Sequence, residues 1–192
     1  MPPPIALSKT RLLSYLQCPR KLWLEQYSPE LEDEDAIDWA AIETGNVVGE
    51  MARTLYGAQG GHRIPNDRGL RAAIADTAAV LEAGGTEPLF EATFDHDGLT
   101  VQVDVLDRSG SVPAIVEVKS STRVKDHYLY DCAIQSWALT QCGHSPGRVA
   151  VAHIDSDFVY RGDGVYDGLF AETDVTEAIA PPYLSTASFN IT

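Results

Sequence analysis

Cysteine is scarce: the 192 residues hold three, Cys18, Cys132 and Cys142, and no two form a CxxC pair. A disulfide framework or a zinc knuckle built within this chain is thereby excluded, and an odd count fits a reducing compartment. Basic residues are few as well, 14 Lys plus Arg against 28 Asp plus Glu, for a formal net charge of −14. That balance excludes a protein that holds nucleic acid by bulk electrostatics, which needs clustered cations on phosphates, but leaves a local site open. Long apolar runs are absent: nothing approaches the roughly 18 residues of a membrane span. The start, MPPPIALSKTR, lacks the apolar centre of a signal peptide. The expectation is a cytoplasmic protein with no membrane partner.

What is present suits one packed domain, with 44% hydrophobic residues including three Trp, eight Tyr and five Phe. Charge is patterned along the chain. Lys9, Arg11, Arg20 and Lys21 come first, the acidic run PELEDEDAID follows, and Lys119, Arg123 and Lys125 cluster much later. Ser8 can cap a helix over KTRLLSYLQ, and Pro19 fits the first turn of a second over PRKLWLEQY. Apolar residues at helical spacing (Trp39, Ile42, Val47, Val48, Met51, Leu55) predict a third helix ending at GAQGG, and GLRAAIADTAAVLEAGG predicts a fourth. From Leu89 the period changes to two. LFEATF, LTVQVDVLD and AIVEVKSS, separated by DG and DRSGSVP, predict a three-stranded antiparallel meander. KDHYLYDCAIQSWALTQCG then reads as a helix, RVAVAHI as a strand, and DFVYRGDGVYDGLFAETDV as a hairpin or extended pair; the tail has no clear pattern.

Short turns let the meander be given a register. A two-residue turn at Asp97-Gly98 sets Phe90 against Val105, Glu91 against Asp104, Ala92 against Val103, Thr93 against Gln102 and Phe94 against Val101. A second turn centred between Gly110 and Ser111 sets Val105 against Val116, Asp104 against Glu117, Val103 against Val118 and Gln102 against Lys119. Apolar residues then share one face and polar residues the other. Glu91, Asp104 and Glu117 would form a row of carboxylates, with Lys119 beside it. Two such charges about 5 Å apart repel by roughly 3 kcal/mol at an effective dielectric of about 20. A hard divalent cation, Mg²⁺ or Mn²⁺, is the expected relief, since it takes carboxylate and water oxygens. Lys119 could then stabilise an attacking water or charge developing on a phosphate. The plainer alternative is a solvated sheet face on which Glu117 and Lys119 form a surface ion pair.

These residues resemble a known family. LSKTRLLSYLQCPRKLWLE, ETGNVVGEMAR, VQVDVLD, IVEVKSS and YDCAIQSWAL, spanning residues 7–175, are similar to the PD-(D/E)XK nuclease superfamily, in the RecB-like branch related to the CRISPR-associated adaptation exonucleases. The resemblance implies an α/β, restriction-endonuclease-like core with a central mixed sheet flanked by helices and an N-terminal helical segment. It implies Asp104 and Glu117 as metal ligands, Lys119 as the catalytic lysine and Gln135 as an orienting residue. The branch often carries a His in its first motif, where this chain has Gly49 or Glu50. Glu50 either replaces it as a ligand or is a solvated helix residue. The tyrosine of the family's QxxxY signature falls on Leu139. Relatives often join a cysteine equivalent to Cys18 with three C-terminal cysteines around an iron–sulfur cluster, which is not expected in this chain.

The resulting expectations divide the chain into a helical segment (1–60), a nuclease-like core (61–180) and a tail (181–192). The function expected is Mg²⁺- or Mn²⁺-dependent hydrolysis of DNA, as an exonuclease on single strands serving repair or defence against foreign DNA. The competing expectation is an inert nuclease-like module that binds nucleic acid or a protein partner. Asp104, Glu117, Glu91 and Glu50 are the candidate metal ligands. Lys9, Arg11, Arg20, Lys21, Arg123 and Lys125 are candidate nucleic-acid contacts, with Tyr15, Trp23 or Tyr128 for base stacking.

Overall fold

A computed structural model describes residues 7–33 and 37–180; the centre of the acidic run and the tail at 181–192 lie outside the described residues. The chain opens with a two-residue strand, β1 (Leu7–Ser8), and passes directly into α1 (Lys9–Gln17). Ser8 caps that helix as its sequence suggests, its side chain accepting from the Arg11 N–H at 3.2 Å. Pro19 begins α2 (Pro19–Tyr27), where its missing N–H leaves no gap. Next come α3 (Trp39–Tyr56), β2 (His62–Arg63) and α4 (Leu70–Ala83). The meander follows as β3 (Leu89–His96), β4 (Leu99–Asp107) and β5 (Ala114–Lys119). After it come α5 (Asp126–Gln141), β6 (Arg148–Ile154) and β7 (Phe170–Asp174).

The strands form one mixed sheet in the order β2-β3-β4-β5-β6-β7, with β1 laid parallel on the start of β4. Helices cover it, so the fold is α/β. The β3–β4 turn at Asp97-Gly98 has both residues at positive φ (51° and 81°), which matches the right-handed twist of the strands it joins. A crossover through α5 makes β5 and β6 parallel, while β7 returns antiparallel to β6. Of the extended pair expected after β6, only Phe170–Asp174 is a strand. Among the described residues, no helix is long and apolar enough to cross a membrane.

The ladder keeps much of the expected register and departs from it where the carboxylates lie. Phe90↔Val105, Ala92↔Val103, Thr93↔Gln102, Phe94↔Val101 and Val105↔Val116 all pair as the turns require. Glu91 and Asp104 are not partners in the ladder, and β4 and β5 stop pairing beyond Val105 and Val116. Glu91 has φ 62°, a left-handed conformation that a residue with a side chain seldom adopts. The strand faces exchange at this point. Ala92, Phe94, Val101 and Val103 pack with Leu12 and α5, whereas Phe90 and Val105 join Val116, Val118, Tyr56 and Phe170 beneath α3. Both faces are therefore covered. The displaced Thr93 N–H is satisfied by the hydroxyl of Thr77 on α4, at 2.9 Å.

Helix α3 also differs from the simple amphipathic reading. It buries Val48 and Ala52, while Trp39, Ile42 and Val47 are half exposed or more. Periodicity established the helix but not which part of its apolar stripe the sheet would cover.

Candidate active site

Four side chains meet on the side of the sheet facing α5 and α1. Glu117 rises from β5 into a position 2% exposed. Lys119, two residues along the same strand and so on the same side, donates to Glu117 Oε1 at 2.6 Å and to Asp131 Oδ2 at 2.7 Å. Lys9, at the start of α1, lies 3.3 Å from Glu117 Oε1 and 3.0 Å from Asp131 Oδ1. The result is a closed ring in which each ammonium touches both carboxylates. Gln135, wholly buried on α5, donates its amide N–H to Glu117 Oε2.

Burial alone would drive these groups toward their neutral forms, and their mutual contacts reverse it. Burial pushes Glu117 up, but Lys9, Lys119 and the Gln135 amide hold its carboxyl well below the usual range. Burial pushes Lys9 and Lys119 down, but Glu117 and Asp131 keep both ammonium groups protonated. Lys119 also lies 5.0 Å from the centre of the Tyr128 ring, a further contact for a cation.

Asp104 stands at the gap between β4 and β5. Its Oδ2 accepts from the Val118 N–H at 2.8 Å, so a side chain satisfies a donor that the interrupted ladder releases. Burial and the nearby charge of Glu117 raise its carboxyl to about 7, against the opposing pull of Lys9 and Lys119. On its other side Asp104 lines a polar cleft of about 540 Å³ beneath α3, shared with Glu91, Glu50, Arg53 and Arg63.

The expected row of three carboxylates is not assembled. Glu91 turns to α3, where Arg53 Nη1 meets it at 2.5 Å, and Arg53 Nη2 meets Glu50 at 2.5 Å. Arg63 stands 3.8 Å from Glu50 and 3.9 Å from Glu91. Glu50 is held below the usual carboxylate range by its hydrogen bond with Arg53. Glu91 and Glu50 thus belong to an arginine-paired cluster in the cleft, while Glu117 faces the opposite way. Among the described residues, no three His, Cys, Asp or Glu side chains stand together as a ready metal cage. The Asp104 and Glu117 pair has the donor chemistry for Mg²⁺ or Mn²⁺, because such ions take hard oxygens and usually need only one or two protein carboxylates.

The basic residues separate. Lys9 belongs to the buried ring and not to a rim, whereas Arg20, Lys21, Arg123 and Lys125 are exposed and Arg11 is half-buried. Lys21 pairs with Gln17 at 2.8 Å. Tyr15 and Trp23 are exposed, but Tyr128 is buried and carries Lys119 over its ring. Two site residues escaped the sequence reading. Asp131 lies one helical turn before Gln135 on α5, and that spacing of four, which puts the two side chains on one face, was its available signal. Arg53 had no comparable signal. Cys132 is buried beside the ring, and burial pushes its thiol far up, which makes it a packing group and not a nucleophile.

No protein-family model matches the chain, and no curated protein matches it. Among solved structures, one described as SSO0001 superposes with a TM-score of 0.49 at 14% identity, over 88% of this chain and 65% of that one. The chain therefore spans 65% of the length of that structure.

Proposed function

We propose that this chain is a PD-(D/E)XK-like, metal-dependent nuclease that hydrolyses phosphodiester bonds of single-stranded DNA. One observation carries the reading: Lys119 is fixed 2.6 Å from a buried Glu117, with Asp104 beside them where the strands part. A solvated surface ion pair has no reason to be buried at a break in the sheet, because burying charge is costly unless it serves some end. Asp104 and Glu117 would hold Mg²⁺ or Mn²⁺, which supplies an acidified water and positive charge for a phosphate oxygen.

The chain's own residues supply the rest. Lys119, whose ammonium is held by Glu117 and Asp131, would stabilise negative charge as the water oxygen bonds to phosphorus and the P–O bond to the leaving strand breaks. Asp131 holds Lys119 in place, and Gln135 fixes the second oxygen of Glu117, so the ExK pair is rigid before substrate arrives. Thr10, Leu13, Gln17 and Lys21 of α1 and α2, with His127 and Tyr130 of α5, line a groove of about 560 Å³, which this reading takes as the path of a strand. Lys9 adjoins Thr10 at one end of α1.

A second reading, an inert binding module, is favoured by one fact: both Glu117 oxygens are already engaged by Lys119, Lys9 and Gln135. Cleavage of end-labelled linear and circular single-stranded DNA with Mg²⁺, Mn²⁺ or EDTA separates the two. Metal-dependent cutting is the outcome of the nuclease reading, and sparing of the circle makes the enzyme an exonuclease. No cutting by folded protein with either metal is the outcome of the inert one.

A further inference from the structure

Lys9 is the one member of the buried ring that the proposed hydrolysis does not use. Three observations give it a task. Lys119 meets only Oε1 of Glu117 and Gln135 only Oε2, but Lys9 Nζ lies 3.3 and 3.5 Å from the two oxygens, so its positive charge faces both at once, as that of a competing cation would. These contacts are long beside the 2.6 Å of Lys119, so Lys9 is the more weakly held partner. Lys9 also has a second carboxylate to keep, Asp131 at 3.0 Å, and its side chain retains 18% exposure through which to withdraw.

From this geometry, and resting on the metal-dependent reading above, we infer that Lys9 is a positioning residue that competes with the divalent cation for Glu117. In the cation-free protein its ammonium holds the carboxylate charged and oriented. When the cation arrives, Lys9 gives up Glu117 and remains on Asp131. The backbone cannot make this movement, because β1 is paired to β4 through Leu7↔Leu99 and Ser8↔Thr100 immediately before Lys9. The long side chain makes it instead. Removing the ammonium should strengthen cation binding even though it removes two buried ion pairs, the reverse of what a purely structural lysine would do.

The test is Mn²⁺ binding by calorimetry, without nucleic acid, to the wild-type chain, Lys9→Gln and Lys9→Arg. Lys9→Gln should bind Mn²⁺ at least about tenfold more tightly than wild type, while Lys9→Arg, which keeps the charge, should gain nothing. Equal or weaker binding by folded Lys9→Gln overturns the inference. If that variant does not fold, Lys9→Met, which keeps the apolar stem, is read the same way. The intact protein gives a second readout: saturating Mg²⁺ should move the Lys9 ammonium resonance in NMR, and an unmoved resonance counts against the inference. Measurable but equal Mn²⁺ affinities overturn only the role of Lys9. Absence of Mn²⁺ binding in wild type and variants alike overturns the metal-dependent reading as well.

Discussion

The Val118 N–H donates to Asp104 Oδ2 at 2.8 Å, so a side chain replaces a strand partner where β4 and β5 part. This one bond ties the break in the sheet to the chemistry. It places Asp104 at the opening and leaves the neighbouring Glu117 facing α5, in the ring with Lys119. Asp104→Asn keeps an acceptor for Val118 and should leave the fold near wild-type stability. Asp104→Ala strands the donor and should cost about 1–3 kcal/mol. Urea unfolding of the two variants checks the difference; equal losses would show that the bond contributes little.

Gln135 ties Glu117 to α5 from a wholly buried position. Gln135→Leu removes the amide that binds Glu117 Oε2 and should destabilise by about 1–3 kcal/mol. Lys119→Met leaves Glu117 and Asp131 short of a buried counter-charge and should cost more, about 3–5 kcal/mol. The order of the two losses in chemical denaturation is the check.

The arrangement of the carboxylates gives a metal-binding prediction. Glu91 is engaged by Arg53 and so should be dispensable: Glu91→Gln should bind Mn²⁺ within about twofold of wild type. Asp104→Asn should lose at least about tenfold. Titration calorimetry decides it, and a large loss at Glu91 would restore the three-carboxylate row.

Asp104 also sets a pH dependence. Its folded carboxyl is raised to about 7, above the 3.8 of an unperturbed Asp, so the folded state holds a proton that the unfolded chain releases. Its contribution therefore favours folding at low pH and is lost as pH rises toward and through 7. Glu117 has the opposite sign: its folded value is lowered, so its contribution is present above its ordinary 4.5 and lost as the medium becomes more acidic. Stability without metal should peak between about 3.8 and 4.5 and decline from there to about 7, and Asp104→Asn should remove that decline. Mn²⁺ affinity should rise with pH through 7, since the ion must displace the Asp104 proton. Thermal melts from about pH 2 to about 9, and metal titrations from about pH 5 to about 9, measure both.

Much of the fold was legible because it rests on local rules. The Asp97-Gly98 turn, the Ser8 cap, Pro19 and the change of period at Leu89 each act within a few residues, and together they specify the helices and the meander. The exchange of faces was not legible, since it depends on Glu91 adopting φ 62° and alternation alone cannot show a left-handed residue that is not glycine. Lys9 was misplaced for a related reason. It reaches Glu117 across 108 residues of sequence through a strand of two residues, too short to leave a pattern. The ExK pair itself could be read, because residues two apart on a strand must share a face. Asp131 could have been found by the same kind of argument from Gln135 on α5.

The account's central claim is that Asp104, Glu117 and Lys119 form one metal-dependent hydrolytic centre. Its most direct test is single-turnover cleavage of end-labelled single-stranded DNA at saturating Mn²⁺ by the wild-type chain and by Lys119→Ala, each first shown to be folded. The account predicts cutting by the wild type, abolished by EDTA, and a loss of at least about a hundredfold in the variant. Cutting by Lys119→Ala at the wild-type rate would contradict it.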